Sequence, residues 1–151
     1  MPPLKRILLA EDNPHDVELT LAALEEHHLA NEVVIARDGA EALDYLYRRG
    51  KYSDRPAGVP AVAFLDLKMP KVDGLEVLRT VKADPDLRNI PVVMLTSSRE
   101  EQDLLKSYNL GVNAYVVKPV DFQQFVETVS QLGFFWAILN EPPPTSVRKQ
   151  A

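Results

Sequence analysis

The segment FLDLKMP at residues 64–70 ends an apolar run with a carboxylate, Asp66. Similar runs of four or five mostly aliphatic residues recur along the chain, without the alternation of polar and apolar residues found in half-exposed strands. The five runs are RILLA (6–10), EVVIA (32–36), AVAFL (61–65), PVVML (91–95) and AYVV (114–117). Such runs are typical of parallel strands that are covered on both faces.

Segments with helical features separate these runs. Asn13 and Pro14 supply an N-cap and a first-turn proline to the first segment. The second begins at Asp38 and is expected to end at Gly50, a residue type favoured just after a helix. The other three segments are 73–85, 99–111 and 121–132. Five strands alternating with helices predict an α/β fold with a doubly wound, five-stranded parallel sheet of order 2-1-3-4-5.

The bulk composition predicts one domain of ordinary size. We expect it to cover residues 1–132, followed by a C-terminal extension with a proline-rich tail at 133–151. The net charge of −5 argues against binding to nucleic acid or anionic membranes. The absence of cysteine excludes disulfides and thiol chemistry. The chain has no signal pattern and no apolar stretch near the roughly 20 residues of a membrane span, so we expect a cytoplasmic protein.

Polar residues follow the predicted strands at the point where each strand ends. Glu11 and Asp12 follow the first strand and Asp66 the third. Thr96 follows the fourth strand and Lys118 the fifth. The carboxyl ends of parallel strands form one edge of a sheet, and ligands bind where the strand order reverses. In the order 2-1-3-4-5 the reversal lies between strands one and three, which predicts that the three carboxylates meet there.

Three carboxylates in one crevice repel, because two unit charges about 4 Å apart cost about 4 kcal/mol at an effective dielectric near 20. Lys118 offsets part of this repulsion, and a divalent cation offsets more. Mg²⁺ takes carboxylate and carbonyl oxygens, and the backbone carbonyl of Lys68 is a suitable neutral ligand. A carboxylate can accept a phosphoryl group as a nucleophile, and the transfer needs cations and a hydroxyl donor such as Thr96. We therefore predict that Asp66 is a phosphate acceptor.

Four motifs, in this order, resemble the receiver domain of two-component response regulators over residues 5–132. They are EDN (11–13), FLDLKMPKVDG (64–74), LTSS (95–98) and YVVKP (115–119). The resemblance implies the flavodoxin-like receiver fold and phosphorylation of Asp66 by a sensor histidine kinase. The Mg²⁺ ligands that it implies are Glu11, Asp12, Asp66 and the carbonyl of Lys68. Beyond accepting the phosphoryl group and removing it from itself, such a protein is not expected to be an enzyme, and no organic cofactor is expected.

The same resemblance assigns roles to the ends of the last two strands. Thr96 and Lys118 are expected to contact the phosphoryl group. Tyr115 is expected to act as an aromatic switch that is coupled to Thr96. The peptide bond between Lys118 and Pro119 is expected to be cis.

A narrower resemblance concerns the single-domain regulators that are paired with phytochrome-type histidine kinases. It rests on SYNLGVNAYVVKP (107–119) and on FFWAIL (134–139) followed by prolines. The residues after 132 are too few for a DNA-binding module, so we expect signalling through protein–protein contacts. The apolar run around Trp136 predicts a homodimer through helix 4, strand 5, helix 5 and the extension, or else an extension folded over its own domain.

Three other functions remain open from the residues alone. A haloacid-dehalogenase-like phosphatase also uses an aspartyl nucleophile, but it needs a second aspartate two residues on, where Lys68 stands. A flavodoxin-like FMN carrier needs a phosphate-binding loop after the first strand, where Glu11 and Asp12 stand. The third is a receiver-like interaction module that is not phosphorylated, although none of the expected acidic or lysine residues is missing.

Overall fold

The computed structural model describes residues 6–25, 32–119, 123, 124 and 127. The strands are β1 (Arg6–Ala10), β2 (Glu32–Ala36), β3 (Val62–Asp66), β4 (Val92–Thr96) and β5 (Ala114–Val117). The helices are α1 (Pro14–Glu25), α2 (Gly39–Tyr47), α3 (Gly74–Ala83) and α4 (Arg99–Ser107), with a 3₁₀ turn at Gly50–Tyr52. The five strands pair in parallel in the order β2-β1-β3-β4-β5. The predicted fold class and strand order are confirmed.

The predicted fifth helix and the extension fall on a part of the chain that is barely described. Of the predicted helix at 121–132, only residues 123, 124 and 127 belong to the described set, and the whole of 133–151 lies outside it. The interpretation of the apolar run around Trp136 therefore stays a prediction.

The sheet has a separate apolar layer on each face. Successive residues of β1 alternate between them: Ile7 and Leu9 join the layer with Val17 of α1, and Leu8 joins the layer that packs against α2 and α3. β3 also contributes residues to both layers, and its Phe64 lies in the layer with Ile7 and Leu9. Every strand residue of β3 and β4 is buried, which explains why these strands are apolar up to their last residue.

Two strand boundaries differ from prediction by one residue. Asp66 and Thr96 do not follow β3 and β4, as predicted, but are their last residues. The pairing continues because Asp66 lies opposite Leu95, and the amide of Leu67 donates to the Leu95 carbonyl at 3.1 Å. The amide of Lys118 likewise donates to the Thr96 carbonyl at 2.7 Å. Backbone hydrogen bonds between strands do not depend on the polarity of the side chain. A polar residue can therefore be the last residue of a strand.

The end of α2 also differs from prediction. The helix stops at Tyr47 instead of continuing to Gly50, and Arg48 adopts the left-handed conformation with φ 56°. The Arg55 side chain makes this early end stable, because its Nε donates to the Tyr45 carbonyl at 2.7 Å and its guanidinium stacks 4.2 Å from the Tyr45 ring. A distant arginine thus adds a second donor to the Tyr45 carbonyl, which also accepts from the Arg48 amide at 3.2 Å.

Two other features agree with the sequence. Asn13 caps α1, since its Oδ1 accepts from the amides of His15 at 2.8 Å and Asp16 at 3.1 Å. The helix α3 ends at Ala83, before Pro85. No helix among the described residues is both long enough and apolar enough to cross a membrane.

Candidate functional site

The carboxyl edge of the sheet brings the three predicted carboxylates together. Asp66 ends β3 and Glu11 directly follows β1, its neighbour in the sheet. One oxygen each from Glu11, Asp12 and Asp66 lie within 4.8 Å of one another. Glu11 and Asp66 are buried and Asp12 is exposed, so the group forms an acidic crevice with an open side.

Lys118 closes the buried side of this crevice. Its Nζ lies 3.1 Å from Asp66 Oδ1, 3.3 Å from Glu11 Oε1 and 3.2 Å from Asp16 Oδ2. The predicted position of Lys118 is therefore correct, but the sequence analysis missed Asp16. A usable signal was present: Asp16 lies in the first turn of α1, and that helix starts directly at the crevice.

Burial and the neighbouring carboxylate determine the protonation of Glu11. Burial raises the pKa of Glu11, and the hydrogen bond with Asp66 and the charge of Asp66 raise it further, to about 8. The amide of Asn13, which donates to Glu11 Oε2 at 3.2 Å, and Lys118 lower it in part. Without a bound cation, Glu11 therefore holds a proton at neutral pH.

Lys118 stays charged although it is mostly buried. Burial lowers the pKa of Lys118, but the charges of Asp66 and Glu11 and hydrogen bonds to Asp66 and Asp16 raise it above its usual value. The crevice thus offers a fixed ammonium group beside the carboxylate of Asp66.

The donor set fits a hard divalent cation. Carboxylate oxygens are the ligands that Mg²⁺ and Mn²⁺ prefer, and a dication offsets both the burial and the repulsion from Asp66 that raise the pKa of Glu11. Lys68 lies two residues past Asp66, and its side chain extends to α4, where its Nζ lies 3.4 Å from Glu101 Oε2. The predicted role of the Lys68 carbonyl as a metal ligand stays a prediction.

Thr96 lies at the end of the strand next to Asp66 and is fully buried. Its hydroxyl donates to the Val116 carbonyl of β5 at 3.4 Å, so in this structure it is directed toward β5. Tyr115, the residue before Val116, is half-buried and pairs with Met94 in the sheet. The Lys118–Pro119 peptide bond is cis, as predicted. The contacts of Thr96 with a phosphoryl group and the switching role of Tyr115 remain predictions.

Two glycines bring the loop after β3 close to the sheet edge. A Cβ on Gly74 would lie 2.1 Å from the Asp66 carbonyl oxygen, and the Gly74 amide donates to the Leu67 carbonyl at 2.8 Å. A Cβ on Gly39 would lie 1.8 Å from the Val72 carbonyl oxygen. Backbone therefore packs on backbone at both points, which holds the acceptor strand and its loop in place. The sequence analysis quoted Gly74 within a motif but gave it no role.

Comparison with known proteins agrees with this geometry. The profile of the response regulator receiver domain matches residues 7–130. The chain belongs to the response regulator receiver family. Members of this family are regulators of two-component systems rather than classical enzymes, and their partners are histidine kinases. This membership rules out the haloacid-dehalogenase-like and FMN-carrier alternatives.

Three similar proteins are themselves response regulators. Response regulator Rcp1 of Synechocystis sp. (strain ATCC 27184 / PCC 6803 / Kazusa) is 40% identical over 134 residues, which are 89% of this receiver chain and 90% of Rcp1. The bacteriophytochrome response regulator AtBRR is 69% identical, with a TM-score of 0.86 over 93% of this chain and 100% of AtBRR. The phosphorylated cyanobacterial phytochrome response regulator RcpA is 40% identical, with a TM-score of 0.72 over 95% of this chain and 100% of RcpA. A Mn²⁺-bound crystal structure of Rcp1 has a TM-score of 0.71, at 37% identity over 92% of this chain and 97% of Rcp1.

Proposed function

We propose that this receiver accepts a phosphoryl group from a sensor histidine kinase on Asp66 and signals by a conformational change through protein–protein contacts. The observation that carries the proposal is the environment of Asp66. Its carboxylate is buried at the point where strand order reverses, next to Glu11 and Asp12, with the Lys118 ammonium 3.1 Å away. A carboxylate that only ended a strand would need neither the acidic neighbours nor the lysine.

The transfer follows from the groups around this carboxylate. One oxygen of Asp66 attacks the phosphorus of a phosphohistidine, the P–N bond breaks, and the histidine leaves as an imidazole that takes up a proton. Lys118 donates to a phosphoryl oxygen and balances its charge, and the Thr96 hydroxyl donates to another. Bound Mg²⁺, held by Glu11, Asp12, Asp66 and the Lys68 carbonyl, would neutralise charge on the phosphoryl oxygens.

Two relatives support the chemistry assigned here. Rcp1 has been solved with Mn²⁺, and RcpA has been solved phosphorylated. In the present chain the three carboxylates that would hold a cation are grouped within 4.8 Å. For this chain we propose the same two bound groups, a divalent cation and a phosphoryl group, at the residues named above.

Signalling is proposed to begin at Thr96. The acyl phosphate adds about −1.5 to −2 charges if it ionises like other phosphoryl groups. The Thr96 hydroxyl, now bonded to the Val116 carbonyl of β5, would turn toward those oxygens. Breaking that bond changes the environment of Tyr115, the residue before Val116. The Nζ of Lys106 in α4 lies 5.5 Å from the centre of the Tyr115 ring, so the change extends to α4. The α4–β5 face then has two arrangements that phosphorylation selects between.

The proposed partner is a phytochrome-type histidine kinase. AtBRR and RcpA are both described as phytochrome response regulators, and this chain is 69% and 40% identical to them. We place the receiver at residues 1–132, with 133–151 as an extension, and we propose a cytoplasmic protein that binds neither membranes nor nucleic acid. The net charge of −5 supports the last two points.

Incubation with acetyl phosphate and Mg²⁺, followed by intact mass measurement, tests the acceptor. We expect the wild type to gain one phosphoryl group and Asp66→Asn to gain none. Asp54→Asn, which alters an exposed carboxylate in a surface loop, is the control and should gain the group like the wild type. A full gain by Asp66→Asn would reassign the acceptor. A wild type that never gains mass would instead favour the interaction module that is not phosphorylated.

We also propose a homodimer that uses the α4–β5 face, the region of helix 5 and the extension. Exposed apolar residues at α4 support it: Leu104 of the helix is 55% exposed, and Tyr108, the C-cap residue four positions on, is 44% exposed. Residues four apart lie on the same side of a helix, so the two form one apolar patch.

Sedimentation at tens of micromolar compares Leu104→Glu with Val59→Glu. Val59 is equally exposed, at 55%, but it lies in the loop before β3. We expect Leu104→Glu to weaken the dimer at least tenfold, because a charge replaces apolar contact area at the interface. Val59→Glu should sediment like the wild type. Equal behaviour of all three proteins would show that this face is not the interface.

A further inference from the structure

The ammonium group of Lys118 has a third partner outside the acidic crevice. Its Nζ lies within 3.1–3.3 Å of one oxygen each from Asp66, Asp16 and Glu11. An ammonium group has three protons, so these three carboxylates account for all of its donors. We propose that Asp16 is a positioning residue, which holds Lys118 in place for phosphoryl transfer to Asp66. This inference rests on the phosphoryl acceptance proposed above.

Asp16 differs from the other two partners of Lys118. Glu11 and Asp66 belong to the group of carboxylates that could bind a metal ion, and Asp66 is also the proposed acceptor. Both therefore change their bonding when a cation binds and a phosphoryl group arrives. Asp16 lies outside that group and has neither task. It is the partner that Lys118 can keep from the resting state through the transfer.

The backbone around Asp16 is itself held firmly. The Asp16 amide donates to the N-cap side chain of Asn13 at 3.1 Å, and the Asp16 carbonyl accepts from the Thr20 hydroxyl at 2.9 Å. Thr20 is 1% exposed, so the first turn of α1 is fixed at both ends. The Asp16 side chain is 23% exposed and that of Lys118 18%, so the ion pair is largely shielded from water.

This arrangement favours the transfer through preorganisation. Lysine carries its charge on a flexible four-carbon stem and loses side-chain freedom when it is held. Asp16 fixes the ammonium before the phosphodonor arrives, so the ammonium needs little rearrangement when negative charge develops on the phosphoryl oxygens. As Asp66 forms its bond to phosphorus, Lys118 exchanges Asp66 Oδ1 for a phosphoryl oxygen and stays bonded to Asp16.

A double-mutant cycle with acetyl phosphate as the donor tests this role. We expect Asp16→Asn to lower the limiting rate of phosphoryl gain about 5- to 20-fold, the range of one charge-assisted hydrogen bond, and Asp16→Ala to lower it further. In a Lys118→Met background the same change should alter the rate less than about twofold, because its target is gone. Glu18→Gln, which removes an exposed charge from the same helix, should match the wild type.

A second measurement does not depend on turnover. With lysine ε-carbons labelled by ¹³C, the Lys118 resonance should shift in Asp16→Asn and keep its position in Glu18→Gln. Mg²⁺ binding should persist in Asp16→Asn, since Asp16 is outside the metal group. Equal rate losses with and without Lys118, or an Lys118 resonance unchanged by Asp16→Asn, would overturn the proposal. A wild type without phosphoryl gain would count against the proposed function, whereas the Lys118 resonance still tests the contact.

Discussion

Replacing Gly74 by alanine is expected to destabilise the protein by about 3 kcal/mol or more and to prevent phosphoryl gain. Its new methyl group would lie 2.1 Å from the Asp66 carbonyl oxygen and 2.9 Å from the Leu67 Cα. Both atoms are backbone, so no side chain can rotate away to make room. Relief requires movement of the end of β3, which carries the proposed acceptor. Without the clash, alanine in a helix would be favoured over glycine by about 1 kcal/mol.

Gly111→Ala is the matched control for this substitution. Gly111 has φ +82°, but a Cβ there would meet only the end of the Lys82 side chain, at 3.7 Å. We expect it to cost about 1–2 kcal/mol, for the left-handed backbone alone, and to leave phosphoryl gain intact. Urea unfolding and intact mass measure both effects. If Gly74→Ala is as stable and as active as the wild type, the close contact does not constrain the acceptor strand.

The metal-free protein is expected to lose stability as the pH rises from about 5.5 to 8.5. The pKa of Glu11 is raised from 4.5 to about 8, mainly by burial and by Asp66. Between these two values the native state holds a proton that the unfolded state has released, so a rise in pH favours unfolding. One pKa unit corresponds to about 1.4 kcal/mol, and local relaxation reduces the full effect, so we expect a loss on the order of 2 kcal/mol.

Urea unfolding in the presence of a chelator, measured across this pH range, checks the expectation. Glu11→Gln should flatten the dependence, because a neutral amide does not titrate in this pH range. Glu18→Gln, on an exposed side chain, should keep it. Added Mg²⁺ should restore stability most strongly above pH 8, where it no longer competes with the proton on Glu11. A wild type whose metal-free stability rises over this range would contradict the raised pKa.

The sequence predicted the sheet because its strands are buried on both faces. Runs such as AVAFL have no polar residue to mark a solvent face, and that pattern fits few structures besides a covered parallel sheet. Helix ends were predicted where a local residue determines them, as Asn13 and Pro85 do. They were missed at Tyr47, because the end depends on a left-handed arginine, Arg48, and on the Arg55 side chain, eight residues after Tyr47.

The candidate site was predicted from polar residues at or directly after strand ends, since topology alone brings strand ends together. Glu11, Asp12, Asp66 and Lys118 all fall in this class. Asp16 was missed because its contact depends on where the first turn of α1 points, which strand order does not determine. The role of Gly74 was missed because it arises from a 2.1 Å approach of two backbone segments. The raised pKa of Glu11 depends on burial, which residue type does not reveal.

The central claim is that Asp66 receives the phosphoryl group. Treatment of the acetyl-phosphate-modified protein with borohydride reduces an aspartyl phosphate to homoserine, and tandem mass spectrometry of its peptides then locates the change. We predict homoserine at position 66 and unchanged carboxylates at positions 11, 12 and 16. Homoserine at position 12 or 16, or 2-amino-5-hydroxypentanoate at Glu11, with Asp66 intact, would contradict the account.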